Sequence, residues 1–494
     1  MSYLEKAREY EERMERKIAA EERPLYHLTA RTGWLNDPNG FSFYGGRYHL
    51  FYQYNPYSTH WDRMHWGEWS SPDLIHWSFE RAAMAPDEAY ESGCFSGSAA
   101  LDREGNPVFM YTAHRIIPDG REEIVRETQC IARLIERELV KEEGNPVISE
   151  EGLPEGFSSS DFRDPKIWRE GEYFYSVLTS RFEDGLGAVL LYRSSDLLHW
   201  DFVKLLKKND GRFGRMWECP DFFRLDDHFI LSVSAMAMKA LSPELRNGFC
   251  SLAFLGKDLG GEPDLREERV QALDLGFDFY APQTMLSPDG RRILIAWMQA
   301  PESGNLAPEG AGWYGQMCFP RELSIRGGRL FQSPIREISS LYGESTELDL
   351  CADSERSVPE LYGRTMDLSL ELRAEREDFC ELRLCFAKKG NIFTSLSYRP
   401  VEGRLILDRR AAGRAASICE YREVLLPKRE KEASLRLLLD RFSFEIFLNG
   451  GESVLSGTLY DCPAEAGELT ILAKGARIRA VKHEIESGIL RGNC

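Results

Sequence analysis

The chain has 494 residues, 43% hydrophobic and 29% charged, with 41 Gly and 23 Pro. These are the proportions of a globular protein with a sizeable core, and they exclude collagen, coiled coil and wholesale disorder. The 80 acidic and 62 basic residues leave a net charge of −18, which repels phosphate backbones and anionic lipid and so argues against nucleic acid or membrane as partner.

Residues 1–25 form the first unit. Its Glu-, Arg- and Ala-rich stretch from Ser2 to Arg23 predicts a polar surface or capping helix that Pro24 ends. The same stretch lacks the apolar core of a secretory signal, and no run of about 18 uncharged apolar residues occurs elsewhere, so the expected location is cytoplasmic. The 11 cysteines are scattered and never spaced C-x-x-C, which suits a reducing compartment. Cys380 and Cys385 come closest to a pair, but without nearby histidines they read as core or surface thiols.

Residues 26–335 carry short aromatic and β-branched runs separated by Gly, Asn, Asp and Pro turns, the pattern of strands and hairpins. One pattern recurs five times: a polar or acidic motif, an aromatic strand, a tight turn and a second strand. The copies start at Asn36-Asp37-Pro38-Asn39-Gly40, Phe95-Ser96-Gly97-Ser98, Arg163-Asp164-Pro165-Lys166, Glu218-Cys219-Pro220-Asp221 and Phe279-Tyr280-Ala281-Pro282. Taking Asp37, Ser96, Asp164, Glu218 and Tyr280 as equivalent markers, the repeat is roughly 54 to 68 residues long, which predicts a five-bladed β-propeller. A second echo, Ser71-Pro72-Asp73-Leu74-Ile75-His76-Trp77 and Ser194-Ser195-Asp196-Leu197-Leu198-His199-Trp200, supports the register. His76 and His199 then occupy repeated positions and read as structural hydrogen-bonding groups.

After a linker at 336–345, residues 346–494 alternate apolar and polar in runs such as Leu435-Arg436-Leu437-Leu438-Leu439 and Phe442-Ser443-Phe444-Glu445-Ile446-Phe447, with a hairpin turn at Asn449-Gly450. They predict a β-sandwich. The fold class is therefore all-β, a five-bladed propeller followed by a sandwich, with a short N-terminal helix.

Blades radiate from a central axis, so residues leading each innermost strand meet at one end of the channel. Asp37, Asp164 and Glu218 would converge there. Carboxyls placed together divide labour: a neighbouring charge and burial raise one pKa while hydrogen bonds keep another group ionised. Two carboxyls flanking a glycosidic bond can then act as nucleophile and proton donor, leaving the third to bind sugar hydroxyls.

Trp34-Leu35-Asn36-Asp37-Pro38-Asn39-Gly40, Phe51-Tyr52-Gln53-Tyr54-Asn55-Pro56, Phe95-Ser96-Gly97-Ser98, Phe162-Arg163-Asp164-Pro165 and Trp217-Glu218-Cys219-Pro220-Asp221 together resemble the motif set of glycoside hydrolase family 32, the β-fructofuranosidases. The resemblance runs from about residue 27 through the propeller and, more loosely, to Leu439-Asp440-Arg441-Phe442-Ser443-Phe444-Glu445 in the sandwich. It implies the same propeller and sandwich, and a retaining hydrolase of terminal β-fructofuranosyl groups. By the same resemblance Asp37 is the nucleophile, Glu218 the general acid/base and Asp164 the transition-state stabiliser. Asn36, Gln53, Trp61, Phe95, Ser96, Arg163, Tyr280 and Trp297 match positions lining the family's fructose pocket. The expected partner is a small neutral or phosphorylated fructosyl sugar: sucrose, sucrose 6-phosphate or a short fructo-oligosaccharide. Homo-oligomers are compatible with the sequence. No phosphate loop, H-E-x-x-H or dinucleotide fingerprint occurs, so neither cofactor nor metal is expected. A fructosyltransferase, an inverting arabinan-type enzyme and a non-catalytic sugar-binding propeller are the alternatives.

Overall fold

The computed structural model describes residues 1–120, 122–258, 263–303, 310–375, 379–413, 420–429, 431–460 and 462–490. Five four-stranded antiparallel units are arranged in sequence order. They are built from Gly33–Tyr44, Arg47–Asn55, His65–Ser71 and Trp77–Phe79; Gly93–Leu101, Pro107–Asp119, Glu122–Ile135 and Glu138–Lys141; and Arg163–Glu170, Tyr173–Arg181, Gly187–Ser194 and Trp200–Lys208. The last two comprise Trp217–Leu225, His228–Met238, Gly248–Asp258 and Pro263–Ala272, then Tyr280–Leu286, Arg292–Trp297, Arg321–Arg326 and Arg329–Pro334. The first strands of successive blades pack against one another, and Tyr280–Leu286 returns to Gly33–Tyr44, closing the ring. A two-residue strand in the fifth unit, Trp313–Tyr314, pairs parallel with Gly33 and Trp34 of the first and fastens the closure.

The repeated turns of the first and third blades are the same structure. His76 Nδ1 lies 2.7 Å from Asp73 Oδ2 and His199 Nδ1 2.8 Å from Asp196 Oδ2, Leu74 and Leu197 both take left-handed backbone, and the Trp77 and Trp200 indoles donate to their carbonyls. Trp66, Trp69 and Trp77 are buried core.

The N-terminal helix is shorter than its composition suggests. It spans Tyr3–Glu15, with Ser2 and Glu5 forming a capping box, and a separate 3-10 turn follows at Ala20–Glu22. Arg31 grips Glu11 and Glu15 in the helix's last two turns. Glu11 is also buried under the Tyr54 hydroxyl and the Ala82 amide, so the helix is pinned to the propeller through polar groups.

The C-terminal part is a β-sandwich whose two layers share one long strand. The first half of Glu468–Ile485 pairs with Glu381–Lys389 and its second half with Met366–Ala374; Gly475, at φ +77°, lies at the change of partner. Leu368, Leu370, Leu384, Phe386, Leu396, Leu407, Leu437 and Ile446 fill the core between the layers.

The sandwich is joined to the propeller by a buried charge cluster. His27 Nδ1 lies 2.9 Å from Asp440 Oδ2 and its Nε2 3.0 Å from Glu445 Oε1, all three side chains fully buried. Arg321 donates to Glu445 at 2.5 Å and reaches Asp274 at 3.2 Å. The backbone amides of Leu25, Tyr26 and His27 also end on the Asp440 carboxylate.

Candidate active site

Each inner strand departs from regular pairing at its motif. The register slips between Leu35 and Pro38, Cys94 and Gly97, Arg163 and Lys166, Glu218 and Asp221, and Tyr280 and Gln283. Such bulges re-aim side chains locally, here all at the same end of the ring. Asp164, Cys219 and Ala281 take φ of +63°, +47° and +51° although each precedes a proline, a combination disfavoured for residues with a Cβ. The prolines also correct the marker alignment. Asp37, Asp164, Cys219 and Ala281 share the position before proline, so Glu218 is equivalent to Arg163, one residue earlier, and not to the two aspartates. The third acid therefore enters from the preceding register position.

One cavity of about 360 Å³ is lined by Asp37, Asp164 and Glu218 together with Asn36, Gln53, Trp61, Phe95, Ser96, Arg163, Tyr280 and Trp297. Trp34, Met236, Phe249 and Pro301, not singled out from sequence, complete it. Eleven sequence-selected residues from five blades thus share one pocket.

The acids are held differently. Asp37 Oδ2 accepts from Ser96 Oγ at 2.6 Å. Asp164 Oδ2 accepts from the Cys219 amide at 2.9 Å, and the Cys219 thiol lies between the aspartates, 3.5 Å from Asp37 and 3.6 Å from Asp164. Glu218 is clamped on both oxygens: Arg163 donates to Oε1 at 3.1 Å and the Tyr280 hydroxyl to Oε2 at 2.8 Å. Two groups that sequence reasoning missed, Glu127, buried, and His114, partly buried, stand behind this clamp. Glu127 binds the other face of Arg163 at 3.1 Å, and His114 bonds Glu127 at 3.1 Å while stacking on Phe95 at 4.0 Å. Neither lies in a motif, because the outer strands that carry them reach the site only through the blade's pairing.

Electrostatics separate the carboxyls. Burial pushes Asp164 up to about 8; the charges of Glu218 and Asp37 add to this, and Arg163 only partly opposes it. Burial also lifts Asp37 above the usual carboxylate range, aided by Glu218 and resisted by the Ser96 hydrogen bond. Burial, with three carboxyls around it, pushes the Cys219 thiol far up, so this cysteine is a neutral packing and hydrogen-bonding group.

The rest of the cavity suits a sugar. Trp61, 54% exposed, forms the lip and meets Phe95 edge-on at 5.9 Å. Trp34 donates to Asn36 and packs on Trp297, and Gln53 donates to the Cys94 carbonyl. The Trp297 indole N–H is buried and has no partner among the described residues, a donor available to a ligand. Among the described residues no group of His, Cys, Asp and Glu has a metal-holding arrangement.

A closed five-bladed propeller, a sandwich and three acids in one axial pocket define a glycosidase architecture. The chain belongs to glycosyl hydrolase family 32: the family's N-terminal domain matches residues 27–334 and its C-terminal domain residues 337–487. It is 36% identical over 460 residues to a sucrose-6-phosphate hydrolase of Escherichia coli, covering 91% of each chain. A raffinose invertase of the same organism is 35% identical, covering 91% of this chain and 92% of that one. Among solved structures it superposes on a β-fructofuranosidase of Bombyx mori with a TM-score of 0.84 at 32% identity, over 99% of both chains.

Proposed function

We propose that this enzyme removes terminal β-fructofuranosyl groups from sucrose, sucrose 6-phosphate or short fructo-oligosaccharides with retention of configuration. The observation that carries the proposal is that Asp37, Asp164 and Glu218 open into one sugar-sized cavity, with Glu218 held between Arg163 and Tyr280.

Asp37, ionised, attacks C2 of the fructosyl unit while Glu218 gives its proton to the departing glycosidic oxygen; the C2–O bond breaks as the Asp37 ester forms. Glu218, now a carboxylate, takes a proton from water, which attacks C2 and releases fructose and free Asp37. Ser96 and the Cys219 thiol hold Asp37 in place without adding a competing charge. Asp164, pushed up to about 8, binds fructose hydroxyls as donor or acceptor. Asn36, Gln53 and the Trp297 N–H supply further hydrogen bonds, and Trp61 and Phe95 cover apolar sugar faces. Glucosyl units can carry a 6-phosphate at the open lip, which the names of the sucrose-6-phosphate hydrolase relatives favour. The nine described cysteines, all free, agree with a reducing cytoplasm.

The test is incubation with sucrose and with its 6-phosphate, comparing kcat/KM and following products by NMR. Equal amounts of fructose and glucosyl product, with β-fructofuranose released first, are expected. Excess glucose with oligofructan would make it a transferase, inverted fructose would remove the covalent intermediate, and no turnover would remove the enzyme assignment.

A further inference from the structure

The propeller axis has a second mouth. Below the catalytic acids Pro38, Pro165, Pro220, Pro282 and Gly97 form a floor around a void of about 10 Å³. Gln283 crosses it, donating to the Pro38 and Gly97 carbonyls. On the other side the same five inner strands open into a cavity of about 880 Å³, within the range of small-molecule sites. Phe43, Trp168, Phe222, Phe223 and Phe229 contribute its aromatic wall.

The charges there are not balanced. Lys166 and Asp221, members of the third and fourth sequence motifs with no part in the proposed hydrolysis, form a buried ion pair at 3.2 Å. Lys166 also donates to the Thr284 carbonyl, and the Thr284 amide donates to Asp221 at 2.6 Å. Arg292 borders the same cavity and feels the same carboxylate, so two cations depend on Asp221. Its neighbour Arg291 has Asp289, Glu322 and Glu337 as ion-pair partners. Arg292 has none among the described residues: it lies over the Phe223 ring at 4.8 Å with its Nε–H buried and unbonded. The Thr284 hydroxyl, on a residue 1% exposed that lines the cavity, is likewise unbonded. The acids on the cavity's lining are Asp102, Glu104 and Glu170, and Asp102 Oδ1 is occupied by the Glu104 and Asn106 amides. Arg292 is partly buried, with its Nε–H shut away and unbonded, and it shares its one nearby carboxylate, Asp221, with Lys166. A partly desolvated guanidinium with a shared counter-charge is costly, and burial pushes Arg292 below its usual range. An anion in the cavity would relieve both.

We infer that this far mouth is a second ligand site, taking an organic anion, a phosphomonoester or carboxylate on a flat apolar body, with the anionic head on Arg292 and the body against the aromatic wall. It is independent of the catalytic pocket, from which the proline floor separates it.

Phenyl phosphate is the probe, titrated calorimetrically beside inorganic phosphate and phenol. One site of about millimolar or better affinity is expected, with each half-molecule weaker by at least about tenfold. Arg292→Met should weaken it by at least about tenfold while sucrose turnover and Tm stay at wild-type values, and Arg292→Lys should recover part of the loss. Asp37→Ala should leave it unchanged. No binding at about 10 mM, equal affinity for phosphate alone, an unchanged Arg292→Met titration, or loss in Asp37→Ala would each overturn the site. Should Arg292→Met fail to fold, Thr284→Val gives the same reading through the hydroxyl.

Discussion

Two buried charge clusters in this molecule use the same side chains to opposite ends. In the joint between propeller and sandwich, His27 and Arg321 face Asp440, Glu445 and Asp274, and every charge has a partner at hydrogen-bond distance. Burial alone would lower His27, but Asp440 and Glu445 outweigh it and hold it up at about 9. Asp440 and Glu445, despite burial, are held below the carboxylate range by His27, Arg321 and backbone amides. In the candidate pocket Arg163 is hydrogen-bonded to Glu218 and also claimed by Glu127. The two aspartates have no cation bonded to them among the described residues, and Asp37 and Asp164 are raised instead. A balanced cluster is a fastener; an unbalanced one shifts the proton affinity of the groups it crowds, as functional sites commonly do.

The sharpest way to break this contrast is through activity. Asp37→Ala and Glu218→Gln should each lower kcat by at least about 10³-fold with Tm unchanged or raised; near-normal turnover in either pure variant removes that residue from its role. In the joint the effect moves to stability. His27→Ala leaves two carboxylates facing one another in the core and should cost about 3–5 kcal/mol, read by urea unfolding, with kcat of the folded fraction near wild type.

The pH dependences should differ in sign of origin. His27 is raised on folding, so its contribution is complete below pH 6.5 and lost as pH rises through about 9. Asp440 and Glu445 are lowered, so theirs is lost in acid. Asp164 is raised from 3.8 to about 8, so its folded state is favoured most at low pH and loses that advantage as pH rises through about 8. Asp164→Asn should therefore raise Tm at pH 8 by about 2–4 °C and flatten that slope, while lowering turnover. A Tm that falls instead would place Asp164 among the fastening charges. The smallest effect is at the lip: Trp61→Ala should raise KM by about tenfold or less with kcat kept, because half of this side chain already faces water.

Local sequence was most informative where backbone chemistry repeats. Asp37-Pro38, Asp164-Pro165 and Cys219-Pro220 mark the bulges, so five blades and the three acids could be read from order and spacing. Equating Glu218 with the aspartates is misleading for the same reason: a bulge changes by one residue which side chain points inward, and the proline that follows each bulge marks the offset. The Ser2–Arg23 composition overstates the helix, which ends at Glu15 before a separate 3-10 turn at Ala20–Glu22.

The sequence by itself determined the strand pattern, the five repeats and the residue types fit for glycosidic chemistry, since these rest on local propensity and on motifs a few residues long. Only the tertiary structure decided that Glu127 and His114 stand behind Arg163, that His27 is clasped by Asp440 and Glu445 more than four hundred residues away, and that Arg292 lacks the partners Arg291 enjoys. Burial and charge balance depend on which elements meet in space, and spacing along the chain does not encode that meeting.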